Sequence, residues 1–393
     1  MTHSLSKARM RVIEIALAIG GFGIGTGEFA AMGLMPGIAA GMGVTEPQVG
    51  HVISAYALGV VVGAPLLAVF GARLFRRHLL IGLMIFYTLA NIASALAPDY
   101  PTLLLSRFIA GLPHGTYFGV AALVVVNLSP PSDRGKAVSR VLIGLTLAVL
   151  IGTPLTTWMG QTLDWRLAFG FVALTSVITA AMLFKVLPLD REQARNSPKK
   201  ELKAFVQPQV WLTLMVGATG FAGVFCVFSY LAPTLLYTTE VSAGWIPVAI
   251  AVFGAGGFVG NLVGGWLFDR FQFNAVAGIL LWSLGVFLLF PLAATALWSV
   301  LLLIFMVGLI GSMSPVLQTH LMDVAKGAQT LAAASHHAAF NAANALGPFL
   351  GGLAISAGMG WTSTGYVGAA TALVGLGFFA LAKVWPSSEG QIQ

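Results

Sequence analysis

Apolar segments recur along the chain at 12–36, 49–70, 79–97, 101–128, 137–161, 167–187, 209–238, 244–268, 274–296, 298–322, 329–355 and 362–385. Short polar connections separate most of them. A hydrocarbon core of about 30 Å takes about 20 helical residues to cross, so the pattern predicts twelve membrane-spanning helices. One connection differs: 188–208, PLDREQARNSPKKELKAFVQP, is long and charged. It divides the chain into an N-terminal six-helix bundle (1–187), a cytoplasmic linker (188–208) and a C-terminal six-helix bundle (209–393). Its lysines suit an amphipathic helix on an anionic leaflet and a solvated connector equally well.

Charge placement sets the expected topology. With the N-terminus inside, the inner connections hold Lys7, Arg9 and Arg11; Arg73, Arg76 and Arg77; Arg134, Lys136 and Arg140; Lys185, Arg191, Arg195, Lys199, Lys200 and Lys203; and Arg270, Lys326 and Lys383. That is 18 of the 20 Lys and Arg, with only Arg107 inside a span and Arg166 near the outer face. The positive-inside rule then puts both termini in the cytoplasm. The net charge of +7 is a topology signal and implies no nucleic-acid partner.

Composition agrees: 58% of residues are hydrophobic, 8% are charged and the mean hydropathy is +0.90, which no soluble globular domain matches. The expected fold is an all-α polytopic membrane protein. A single cysteine, Cys226, excludes an intramolecular disulfide framework, and the Cys and His inventory offers no metal site. No G-x-x-x-x-G-K-[ST] phosphate loop exists, so any work must draw on an ion gradient or on the substrate itself. No catalytic constellation can be assembled, and the chain is not read as an enzyme.

The two halves align when one slides by about 194 residues. Gly71-x-x-Leu74-Phe75-Arg76-Arg77 falls on Gly264-x-x-Leu267-Phe268-Asp269-Arg270, Pro154 near Pro348, Trp165 near Trp361 and Pro188 near Pro386. This is an internal repeat of six plus six spans, a recurring transporter plan with a site near the midplane between the halves.

Within the apolar background a few polar groups stand out. Glu28 lies in the glycine-rich first segment, GGFGIGTGEFAAMGLMP, at membrane depth. Such carboxylates cost about 2.5–3.5 kcal/mol to insert and usually serve ions or protons, the alternative being a neutral group that glues helices. In the fourth span Arg107, Gly111, His114 and Phe118 recur at helical spacing on one face. Arg107 cannot shed its proton and needs a carboxylate, carbonyls or water beside it. By depth Glu28 is its nearest acidic candidate. Glu28 is therefore expected to load and release the coupling proton, with Arg107 biasing its charge state or replacing the proton as counter-ion. Burial and a nearby cation act on the carboxyl in opposite senses.

The eleventh span carries a second stripe, His337, Asn341 and Asn344, suited either to a cavity wall for a polar substrate or to interhelical hydrogen bonds. His336 points elsewhere and reads as structural. Tyr56, Tyr117 and Phe118, with Phe221, Phe225 and Phe228 on one face of the seventh span, are candidates to line an amphiphilic pocket, against a default of core packing. His114 fits a proton relay, a substrate contact or a plain hydrogen-bond partner.

The inner connections and the run Leu104-Leu105-Ser106-Arg107-Phe108-Ile109-Ala110-Gly111-Leu112-Pro113-His114-Gly115 resemble the signature loop and intramembrane arginine motif of the major facilitator superfamily. Gly27-Glu28-Phe29 with Met32-Gly33-Leu34-Met35-Pro36, and Phe340-Asn341-Ala342-Ala343-Asn344-Ala345-Leu346-Gly347-Pro348, resemble its twelve-span drug:proton antiporter branch, which includes arabinose and sugar efflux permeases. The resemblance runs the whole length. It implies two six-helix bundles and alternating access in the bacterial inner membrane. It also implies conformational gating by Gly71, Arg77, Pro154, Asp269 and Arg270. Two features depart from the family pattern. Arg76 stands where the first loop usually has Asp, leaving Asp269 and Arg270 with the better claim to a lock. The glycine-proline element of the fifth span is loose, Gly144 and then Gly152-Thr153-Pro154, and equally reads as a proline kink.

The expected function is proton-coupled efflux of a small amphiphilic or polar solute such as a drug, sugar or nucleoside. The partners are protons, the substrate and the bilayer. No cofactor beyond the proton gradient is expected, and the chain is expected to act as a monomer. A proton-independent facilitator, a proton symporter and a membrane receptor are the competing readings.

Overall fold

The structure is a computed structural model; residues 6–71, 74–130, 133–188, 207–325 and 329–385 are described. Most of the expected linker, with Arg73, Lys326 and Pro386, lies outside the described residues. In the first half the spans run Lys7–Gly33, Glu46–Gly71, Arg76–Ala95, Tyr100–Leu128, 134–162 and Trp165–Val186. In the second they run 208–237, Trp245–Phe271, Ala275–Ala293, Leu297–Val324, 329–359 and Ser363–Val384, and they are called spans one to twelve below. Among the described residues, eleven apolar stretches are long enough to cross a bilayer. One of them, Trp245–Ala293, turns through Gln272–Asn274, where Gln272 has φ 51°, and so supplies two spans.

Side-chain caps start several spans at the end away from the termini. Thr45 and Gln48 bond each other's backbone N–H groups reciprocally at the start of span two, a capping box. The Asp99 carboxylate accepts from Thr102 N–H at 2.9 Å and Asp164 from Arg166 N–H at 2.7 Å, opening spans four and six. The hydrogen bonds from Thr102 hold the Asp99 carboxyl below its usual range.

Hydropathy alone does not show where the helices break. Span one stops at Gly33, and a short helix, Met35–Met42, starts afresh with Pro36 in its first turn, where the missing N–H costs nothing. Span four is interrupted at Leu112–Pro113 and span seven at Phe221 and Tyr230. In span five the loose glycine-proline element falls on a π turn, Ala148–Gly152, with Thr153 between it and Pro154.

The halves repeat one packing device. A Cβ on Gly59, Gly63 or Gly111 would strike the carbonyls of Phe108, Leu112 and Tyr56, locking span two to span four. Gly256, Gly260 and Gly308 meet the carbonyls of Phe305, Leu309 and Phe253 in the same order and spacing, locking span eight to span ten. Lipid gives apolar helices little reason to associate, so close backbone approach through small residues does that work. Leu89, Leu105, Phe184, Leu262, Trp266, Leu292 and Trp298 are exposed, as a lipid-facing wall requires.

The halves meet along a seam. Ser54 Oγ on span two donates to the Ala345 carbonyl on span eleven at 2.8 Å, and Gly254 on span eight lies over the backbone of Leu150 in the π turn. At the end away from the termini, Tyr237 donates to Glu46 at 3.1 Å and Gln161 to the Ala243 carbonyl at 2.9 Å. That end is closed.

Candidate functional site

Glu28 sits on the seam at 4% exposure, and its carboxylate meets both halves. From the second half, Asn344 Nδ2 donates to Oε1 at 3.0 Å. From the first, His114 Nε2 lies 4.0 Å from Oε2. The Tyr56 hydroxyl is 3.0 Å from His114 Nδ1 and 3.4 Å from the Tyr87 hydroxyl, which itself donates to the Ile24 carbonyl at 3.2 Å. With Tyr56 donating to Nδ1, the imidazole carries its proton on Nε2 and points it at Glu28. The result is a carboxylate, imidazole and phenol in series. Tyr87 completes the series from span three, where no stripe or motif marked it.

Arg107 is fully buried in the same layer, yet no ion pair joins it to Glu28. Its guanidinium donates to the Gly27 carbonyl and, at 3.3 Å, to Asn91 Oδ1. The ring of Tyr56 lies 4.4 Å away on one side and that of Phe169 4.9 Å. Asn91 is turned toward the arginine because its own Nδ2 is spent on the Tyr87 carbonyl at 2.8 Å. Arg107 thus fixes the backbone beside Glu28 and supplies a permanent positive charge, while Nε is left without a partner.

The span-eleven stripe divides by role. Asn344 binds Glu28, Asn341 donates to the His337 carbonyl at 3.1 Å, and Oδ1 of both asparagines is buried without a donor. An unclaimed buried acceptor costs about 1–3 kcal/mol, so each oxygen is free to accept an N–H or O–H. His337 stacks on Phe118 across the seam, with centroids 6.4 Å apart at 14°. His336 instead meets Ser314 at 3.0 Å, a helix-to-helix contact within the second half.

Aromatic residues wall the seam. Phe29, the residue after Glu28, stacks on Phe225 at 6.4 Å and meets Phe228 edge-on at 6.2 Å. Phe221 and Phe225 both pack on Phe340, and Phe228 on Phe253. The sequence marks the span-seven rings as pocket candidates but not their ring partners Phe29 and Phe340, which stand there only within motifs, nor Phe253. Tyr117 stands apart from the polar series: its hydroxyl donates to the Leu17 carbonyl at 2.8 Å, inside the first half.

The gating candidates are scattered. Gly71 lies under the Leu79 side chain, and Arg77 donates to the Phe184 carbonyl with its guanidinium 5.3 Å from that ring. Pro154 follows the π turn at the seam. Asp269 and Arg270 are exposed and form no ion pair among the described residues. A pair that sequence reading left unremarked is the bidentate bond of Arg140 to buried Glu14, 2.8 Å at each oxygen, joining spans five and one.

A six-span bundle built twice over, with ionisable and aromatic side chains gathered where the halves meet, is the architecture of a secondary transporter. The chain belongs to the Major Facilitator Superfamily, whose sequence profile matches residues 17–275. It is 39% identical to the inner membrane transport protein YdhP of Escherichia coli K12 over 359 residues, 91% of this chain and 92% of that protein. It is 34% identical to the chloramphenicol resistance protein of Streptomyces lividans over 341 residues, 85% and 86% of the two chains. The fold is similar to that of a bacterial homologue of the human lysosomal transporter Spinster, solved in an inward-facing, occupied conformation. The TM-score is 0.73 at 17% identity, covering 96% of this chain and 98% of that one.

Proposed function

We propose that this chain is a proton-coupled exporter that exchanges protons for a small amphiphilic or polar solute by alternating access, with both termini in the cytoplasm. The observation that carries the reading is the bond from Asn344 to Glu28, a buried carboxylate shared between the two moving halves. An ionised Glu28 takes a charge-assisted hydrogen bond across the seam, roughly twice as strong as a neutral one. A proton on Glu28 weakens that tie. A substrate donor at the same oxygen competes with the proton, so one carboxylate cannot hold both, and that exclusion is antiport. The unclaimed oxygens of Asn341 and Asn344 receive further donors, while Phe29, Phe225 and Phe340 take an apolar body. The resistance function in the Streptomyces relative's name makes chloramphenicol the first compound to try, ahead of sugars, nucleosides and lipophilic cations.

The test is proton flux in proteoliposomes loaded with a pH-sensitive dye. Substrate added outside an antiporter enters in exchange for protons, so the lumen turns alkaline; Glu28→Gln abolishes the signal. An acidified lumen would reverse the assignment to symport, and solute entry without a pH change would make the protein a facilitator.

A further inference from the structure

Spans three and six leave a groove of about 370 Å³ on the membrane-facing wall of the first bundle. Ile81, Ile85 and Leu89 line one side at helical spacing and Val177, Ala181 and Phe184 the other. The groove exists because alanines on span six face longer side chains on span three. It offers no polar partner, since the hydroxyl of Thr88 is turned back onto the Met84 carbonyl at 2.8 Å.

Its end nearest the termini is basic. Arg77 lies over the Phe184 ring and donates one N–H to the Phe184 carbonyl. Lys185 follows on the same turn and is exposed, and Arg9 from span one donates through Nε to the Val186 carbonyl at 3.1 Å. Three cations from three spans thus gather on the last turn of span six. None is in an ion pair with a carboxylate among the described residues, and both guanidiniums keep further N–H groups free for a second acceptor.

We propose that this groove binds an anionic diacyl phospholipid from the leaflet on the terminus side. One acyl chain lies between spans three and six, and the phosphate sits among Arg77, Arg9 and Lys185. The apolar channel alone does not select, because any lipid chain suits it as well as any other. Selection comes from the headgroup: basic pockets between spans favour anionic lipids, and a zwitterionic headgroup brings its own cation against these three. Arginine adds the forked geometry that phosphate oxygens accept.

The test is native mass spectrometry of the full chain in detergent, titrated with phosphatidylglycerol and, separately, phosphatidylcholine of the same acyl chains. A several-fold preference for phosphatidylglycerol is expected. The double variant Arg9→Gln/Lys185→Gln should lose about fivefold in affinity for each cation removed. Ala181→Phe, which fills the groove and leaves the cations in place, should weaken phosphatidylglycerol binding without lowering the thermal midpoint. Equal retention of the two lipids, or binding unchanged in both variants, would overturn the proposal. So would a lipid-free dimer that Ala181→Phe disrupts, since the groove would then be a subunit contact.

Discussion

Arg107 donates to the carbonyl of Gly27 and not to the carboxylate of the adjacent Glu28. The buried cation is thereby held by backbone, amide and aromatic faces, with only Nε unclaimed, and the carboxyl is left to meet Asn344. The two ionisable groups share a layer without forming an ion pair.

That arrangement makes Arg107→Lys a severe change. A single ammonium cannot serve Gly27 and Asn91 together while keeping contact with the rings of Tyr56 and Phe169. Losing one charged hydrogen bond in a buried site costs about 2 kcal/mol. We expect a lower thermal midpoint and at least tenfold slower substrate-driven proton flux. Wild-type flux in Arg107→Lys would show that positive charge alone suffices.

Asn344→Leu tests the tie across the seam. It removes the donor to Glu28 while keeping side-chain volume, and should cost about 1.5–3 kcal/mol as a lost hydrogen bond to a charged group. Hydrogen–deuterium exchange should rise in 20–36 and 340–350 together, because the two segments hold each other. Faster exchange in one segment alone would mean that the bond does not couple the halves.

The spans were legible because lipid is the solvent: wherever a helix crosses, the sequence must stay apolar, and the basic residues mark the ends. The breaks at Leu112–Pro113, Phe221 and Tyr230 were hidden for the same reason, since the chain is equally apolar on either side. Glu28, Arg107 and the asparagine stripe stood out as polar groups in an apolar setting. Their pairing did not, because Glu28 and Asn344 are 316 residues apart and helical periodicity cannot report contacts between helices. Depth suggested Glu28 as the partner of Arg107, but a carbonyl one residue earlier is invisible to any reading of side chains. Tyr87, Asn91 and Phe29 were missed because an aromatic or a single amide in a span looks like ordinary packing.

The glycine locks give a prediction with an internal control. Gly111→Ala and Gly308→Ala each drive a methyl into a carbonyl of the neighbouring span, so the helices must separate, at about 1–3 kcal/mol for overpacking. Gly82, also in a helix, has open space where a Cβ would go, and Gly82→Ala should be neutral or slightly stabilising. Folded yield and thermal midpoint measured on the three variants side by side decide it. Matching losses at 111 and 308 would establish that the repeat is energetic as well as geometric.

The pair of Glu14 and Arg140 separates structure from coupling. Glu14 is buried, whereas the Arg140 side chain is 47% exposed, so water screens one partner and not the other. Arg140→Ala strands the buried carboxylate and should lower the thermal midpoint more than Glu14→Gln, which keeps an acceptor for the arginine. Replacing both with methionine removes the stranded charge and should recover most of the lost stability, as apolar substitutes for ion pairs often do. Proton flux in that double variant then has a clear meaning. If flux persists, Glu14 is a brace between spans one and five and the coupling rests on Glu28; if a stable double variant loses flux, the proton path includes a second carboxylate on the same helix.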